Sequence, residues 1–261
     1  MDGTISRYLA KTHLVRLQKA VTKKNYPQQF LAALKEISDP AHVEEVMRYF
    51  HPDPNAGSND NKILGVSIGK IFPVAKKFAD MPLADVEKLL DNPYYEVRMG
   101  AVSIMDFQAR DKKITPEQRK ALFDLYIRRH DRINNWDLVD RAAPHVVGGY
   151  LADKPRKVLY KLARSRNPWE RRTAIVSTWY FIRANDVDDT FAIGELLVKD
   201  KHELVQKGVG SWLREAGKRD QEQLVSFLDK HAKSMSRTML RYAVEKLPAA
   251  QRTKFLANGK S

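Results

Sequence analysis

The chain of 261 residues contains no cysteine. That single absence excludes disulfides, thiolate metal sites and cysteine nucleophiles. No apolar run reaches the roughly 18 residues that a membrane-spanning helix needs. The start, Met1-Asp2-Gly3-Thr4-Ile5-Ser6-Arg7, lacks the apolar core of a secretion signal, so a cytoplasmic protein is expected. Neither a G-x-S-x-G elbow nor a Walker loop occurs. Gly148-Gly149 lacks the strand and spacing of a phosphate loop and reads as a helix break. The histidines (His13, His42, His51, His130, His145, His202 and His231) never stand four apart beside a carboxylate, so neither metal nor cofactor is expected. His145 reads as a local detail of a Pro-His helix.

Acidic residues are in deficit, at 32 against 46 Lys+Arg, leaving a net charge of +14. Such an excess favours a polyanionic partner such as nucleic acid, although cations that merely solvate a surface account for it equally. Hydrophobic residues make up 43% and charged residues 30%, the composition of an ordinary globular chain rather than a disordered one.

Apolar residues recur at helical spacing, as in Val86-Glu87-Lys88-Leu89-Leu90 and Lys120-Ala121-Leu122-Phe123-Asp124-Leu125-Tyr126-Ile127. Stops interrupt them at Asp91-Asn92-Pro93, Asn134-Asn135, Arg166-Asn167-Pro168, Lys199-Asp200-Lys201 and Lys233-Ser234-Met235-Ser236. Pro93 and Pro168 are expected at first helical positions, where the missing N–H costs nothing. No segment reads as a strand. Residues 51–61, rich in Pro, Asn, Asp and Gly, read as a flexible surface loop after an N-terminal helical segment over 1–50.

The helices after the stops align as Val97–Val102, Leu138–Ala143, Glu170–Ile175, Val205–Gly210 and Met239–Val244, with small or branched residues in shared columns. The equivalent positions Met99, Asp140, Arg172, Lys207 and Arg241 are 41, 32, 35 and 34 residues apart. That period predicts an all-α fold, one HEAT-like α-solenoid spanning 1–261. Arg172, Lys207 and Arg241 would then form a ladder of cations along a concave basic face, suited to a phosphate backbone. Arg141 and Arg171 flank it.

Asp140 is the one carboxylate in that column. Trp136, four residues earlier, shares its helix face and would set an indole wall beside the charge. A plainer reading has Trp136 in the core and Asp140 paired to Arg141 or Arg172, locking adjacent repeats.

Three ordered motifs carry a family resemblance: Asn135-Trp136-Asp137-Leu138-Val139-Asp140, Trp169-Glu170-Arg171-Arg172-Thr173-Ala174-Ile175, and Lys207-Gly208-Val209-Gly210-Ser211-Trp212-Leu213-Arg214-Glu215. Together with Leu64-Gly65-Val66-Ser67-Ile68-Gly69-Lys70, they resemble the AlkD-like DNA alkylation repair family, over roughly residues 25–250. The resemblance implies a HEAT-like-repeat glycosylase acting on double-stranded DNA that contains alkylated bases, and a monomer is expected. It makes Asp140 the catalytic carboxylate, places Trp136 on the lesion-bearing deoxyribose and sets Arg172 on the DNA backbone. Arg171, Lys207, Arg241, Arg141, Trp169 and Trp212 complete the DNA-binding candidates.

One position departs from the family pattern. A second active-site tryptophan is usual after the glycine matching Gly210, but here Ser211 follows and Trp212 comes one residue later. One residue turns a side chain about 100° around a helix, so a core position is expected for Trp212. Branches of the family that bind branched or distorted DNA without excising bases therefore give a second reading. A protein-binding scaffold would explain the repeats but not the cationic column.

Overall fold

The computed structural model describes residues 25–49 and 61–258. The segment 1–24 and nearly all of the expected loop at 51–61 lie outside them. Helices dominate: α1 (Tyr26–Glu36), α2 (Val43–Tyr49), α3 (Ile68–Lys77), α4 (Leu83–Leu90), α5 (Tyr95–Ala109), α6 (Pro116–Arg128) and α7 (Trp136–Ala142). A π-helix (Ala143–Gly148) runs from α7 into α8 (Gly149–Leu151). There follow α9 (Lys157–Leu162), α10 (Pro168–Ser177), α11 (Trp179–Ile182), α12 (Asp188–Leu197), α13 (Glu203–Gly217), α14 (Gln221–His231), α15 (Arg237–Ala243) and α16 (Ala249–Asn258). Among the described residues, β pairing is limited to one isolated bridge between Lys62 and Tyr94.

The fold is an all-helical α-solenoid. The five aligned segments fall on α5, α7, α10, α13 and α15, and each of these helices packs on the next. Their small residues allow the close approach: a Cβ on Gly210 in α13 would stand 2.5 Å from the Met239 carbonyl oxygen of α15. Apolar side chains from every repeat merge into one continuous core.

Each predicted stop separates two helices. Pro168 opens α10, and the Asn167 side chain accepts from the Trp169 N–H at 2.9 Å. Pro93 does not open a helix. Its carbonyl accepts from the Lys62 N–H at 2.9 Å, which holds the chain extended until α5 begins at Tyr95.

A recurring clamp holds the stops. Arg98, buried in α5, donates from Nη1 to the carbonyls of Asn92 (3.0 Å) and Pro93 (3.2 Å). Arg171, at the same place in α10, donates to Ser165 (3.0 Å) and Arg166 (2.9 Å). In α13 the Gln206 amide reaches the Asp200 carbonyl at 2.8 Å. Burial pushes the Arg98 guanidinium down to about 10, so its charge is kept among carbonyl oxygens at some cost.

Residues 64–66 are pinned in a comparable way. Glu96, wholly buried, accepts the backbone N–H groups of Leu64, Gly65 and Val66 at 3.0, 2.9 and 3.3 Å. Gly65 has φ +82°, and a Cβ there would lie 2.2 Å from the Asp39 carbonyl oxygen, so only glycine fits without strain.

Candidate active site

Local chemistry sets the start of α7. Asp137, almost fully buried, accepts from Asn135 Nδ2 and from the Leu138 N–H, both at 2.8 Å. Tyr95 of α5 donates its hydroxyl to the same carboxylate. Burial pushes the Asp137 carboxyl up to about 6, against the pull of those donors. Burial, reinforced by the neighbouring Asp137, pushes the Tyr95 phenol far upward. This buried knot fixes the first turn of α7 and so aims Trp136 and Asp140.

Asp140 is 29% exposed, and its two oxygens are both taken by Arg172 of α10: Nε to Oδ1 at 2.8 Å and Nη2 to Oδ2 at 2.7 Å. Arg172 is only 7% exposed, and Nη1 donates to the Leu204 carbonyl at the start of α13. Gly208 makes room for it, since a Cβ there would stand 3.0 Å from Nη1. The guanidinium carbon also lies 5.8 Å from the Trp136 ring centroid. Three helices thus bring Trp136, Asp140 and Arg172 into one cluster, with a bidentate geometry that holds the carboxylate rigid. Behind it, Tyr126 and His130 both hydrogen-bond the Thr173 hydroxyl, at 3.0 and 2.8 Å, and burial lowers the His130 imidazole.

Cavities open on both sides of the cluster. Trp136 lines an apolar one of about 270 Å³ with Val46, Ile68 and Tyr95. Asp140 lines another of about 210 Å³ with Asp106, Arg110, His145, Trp179 and Trp212.

Several expected DNA contacts are placed otherwise. Arg172 is not an exposed rung of a ladder, because burial and the grip on Asp140 consume its donors. Lys207 sits 2.7 Å from Glu203 one turn away, whereas Arg241 is exposed on α15. Arg141 pairs with Asp106 (3.0 Å) rather than Asp140, donates to Ser103, and packs on the rings of Phe72 and Phe107 at 4.5 and 4.8 Å. Arg171 is spent on its stop carbonyls and on Asp200. Trp169 is fully buried, edge-on to His202 at 5.2 Å, and cannot meet DNA. Trp212 is not enclosed in the core: Nε1 donates to the Val176 carbonyl at 2.9 Å and the ring lines the Asp140 cavity, while Ser211 is half-buried.

Sequence reasoning missed Asp106, Asp137, Tyr95, Trp179 and the position of His145. It also misread Gly148-Gly149, which continue the helix. A Cβ on Gly148 would stand 2.3 Å from the Ser177 carbonyl oxygen, so this glycine serves close packing against α10. Pro144 is the signal that was available. It lacks the N–H that would bond the Asp140 carbonyl four residues back, and the helix widens there until the Gly149 N–H reaches back five residues to Pro144.

No group of three or more His, Asp or Glu side chains able to hold a metal occurs among the described residues. Nor is any described helix long and apolar enough to cross a membrane.

Residues 30–247 match the family described as DNA alkylation repair enzyme. A solved structure described as a predicted DNA alkylation repair enzyme from Enterococcus faecalis superposes with a TM-score of 0.60. The two share 14% identity, over 81% of this chain and 97% of that one. No curated protein matches.

Proposed function

The chain belongs to the DNA alkylation repair enzyme family, and we propose that its part in alkylation repair is that of a DNA glycosylase. It hydrolyses the N-glycosidic bond of purines alkylated at N3 or N7 in double-stranded DNA, acting as a cytoplasmic, nucleoid-associated monomer. The observation that carries this reading is Asp140: a carboxylate fixed bidentately by Arg172, beside the Trp136 indole, at the edge of a cavity that Trp179 and Trp212 also line.

Alkylation at N3 or N7 makes the base cationic and already a good leaving group, so the two carboxylates of ordinary glycoside hydrolysis are unnecessary. As the glycosidic bond lengthens, positive charge grows on the deoxyribose. A rigid carboxylate facing that sugar stabilises the charge without reorganising. The indole and the neighbouring aromatic rings lower the local polarity and strengthen the attraction.

Release of free alkylated base from methylated duplex DNA by the purified protein tests the proposal. Asp140→Asn keeps the side chain's shape and removes its charge. Base release should fall roughly 10²–10³-fold, the scale on which one preorganised electrostatic group acts. Affinity for intact DNA should hold. If the asparagine variant folds stably and still releases base at the unaltered rate, Asp140 is not the catalytic residue. Ser211, standing where the resemblance places tryptophan, favours the other reading, a DNA-binding solenoid that excises nothing. Tight binding of branched DNA with no base release would establish that one.

A further inference from the structure

The Asp140 cavity holds a second titratable pair. His145 Nδ1 lies 2.8 Å from Asp106 Oδ1, and Asp106 is only 1% exposed. Arg141 Nη1 (3.0 Å) and Arg110 Nη1 (3.4 Å) approach the other oxygen, so the carboxylate is fixed from three sides. The imidazole stands edge-on to Trp179 at 5.3 Å and to Tyr180 at 6.2 Å, which locks its plane.

We propose that His145, oriented by Asp106, is the general base of the reaction; the inference rests on the glycosylase reading above. Asp106 Oδ1 approaches Nδ1 to 2.8 Å, outside hydrogen-bond geometry in the structure, and its negative charge favours the tautomer with the proton on Nδ1. In the neutral imidazole that leaves Nε2 with a bare lone pair. Nε2 makes no hydrogen bond among the described residues, and the ring lines the same cavity as Asp140. This is the arrangement of a base biased toward one tautomer by a buried acid. Asp140 is poorly placed for the same task, because Arg172 occupies both its oxygens.

The work then divides between the two groups. The bond from C1′ to the purine nitrogen breaks, and its electron pair leaves with the base, whose positive charge is cancelled. Asp140 faces the cationic sugar. Water adds its oxygen to C1′, giving a deoxyribose with a hydroxyl there, and the water proton passes to His145 Nε2. Asp106 holds the resulting imidazolium. Pro144 supplies the geometry: in an unbroken α-helix, position 145 would stand about 140° around from position 140. The widened turn after Pro144 brings both residues to one cavity.

The test is single-turnover release of base from a duplex containing N7-methylguanine, measured across pH with the full chain. The charged and titratable groups around His145 are Asp106, Arg110, Asp111 and Lys112 on and after α5, Arg119 of α6, Asp140 and Arg141 of α7, and Tyr180 and Arg183 on and after α11. The unaltered protein should lose rate as pH falls, as general-base catalysis requires. His145→Gln should slow release about 10²-fold at neutral pH, the lower end of what a general base contributes, and abolish that acid limb. DNA affinity and Tm should hold. Imidazole added to His145→Ala should restore at least tenfold, which a merely structural histidine would not permit. Unaltered rate and acid limb in His145→Gln would overturn the proposal while leaving the glycosylase reading intact. So would a slower variant that imidazole does not rescue. An unaltered protein that releases no base would overturn both.

Discussion

Arg171 and Arg172 are neighbours in α10, and each grips one aspartate with two nitrogens, yet the two ion pairs do different things. Asp200, the partner of Arg171, is 4% exposed and helps hold the stops before α10 and α13. Asp140, the partner of Arg172, is 29% exposed and faces a cavity. The pairing chemistry is identical. What separates a fastener from a candidate reaction centre is whether anything else can reach the carboxylate.

That contrast can be broken at the fastener. Asp200→Ala strands the mostly buried Arg171, and loss of one partner of a buried pair costs about 3–5 kcal/mol. Urea unfolding should show that loss, while base release per folded molecule stays unchanged, the reverse of the pattern expected for Asp140→Asn. A release defect in folded Asp200→Ala would make the two pairs one coupled unit.

A smaller effect comes from Asp137, three residues from Asp140 and sealed from solvent. Its folded carboxyl sits at about 6 against an ordinary 3.8, so between these values the folded chain binds the extra proton. The stability contributed by this group is therefore present at low pH and declines as pH rises through that window. Asp137→Asn cannot ionise. Relative to the unaltered protein, its unfolding free energy should improve by about 2 kcal/mol between pH 4 and pH 7. A difference that is flat with pH would show that the hydrogen bonds from Tyr95, Asn135 and Leu138 fully offset the burial.

The smallest effect concerns exposed charge. Arg241→Ala should flatten the log–log salt dependence of DNA binding by about 0.9, one phosphate contact. Arg171→Ala, whose guanidinium is already engaged by Asp200 and two carbonyls, should leave the slope alone. If Arg171 changes the slope and Arg241 does not, the DNA lies elsewhere.

Positions on the repeated helices were readable from sequence because period and phase place them. Trp136, Asp140 and Arg172 meet as their spacing implies, and the five stops all separate helices. What escaped depends on partners a repeat away or on local departures from regular geometry. Trp169 is buried by His202 in the next repeat, and Arg171 is consumed by Asp200, neither of which the motif around them reveals. Pro93 fails as a helix opener because a distant segment, at Lys62, pairs with it first. His145 was misplaced because a fixed 3.6-residue period ignores the extra width that Pro144 imposes.

The clamps on the stops bear on how such a chain grows. Arg98 and Arg171 each close onto carbonyls five and six residues back, and Gln206 onto one six back. Closing so short a loop costs little entropy and takes well under a microsecond. The repeats of α5, α10 and α13 therefore carry a local closure of their own, whereas the start of α7 also draws on Tyr95 of the preceding repeat. A duplicated stretch brings its corner with it, and residues gained or lost in the outer connections leave that corner untouched. Spacings of 41, 32, 35 and 34 residues can then coexist in one stack whose helices still meet in register.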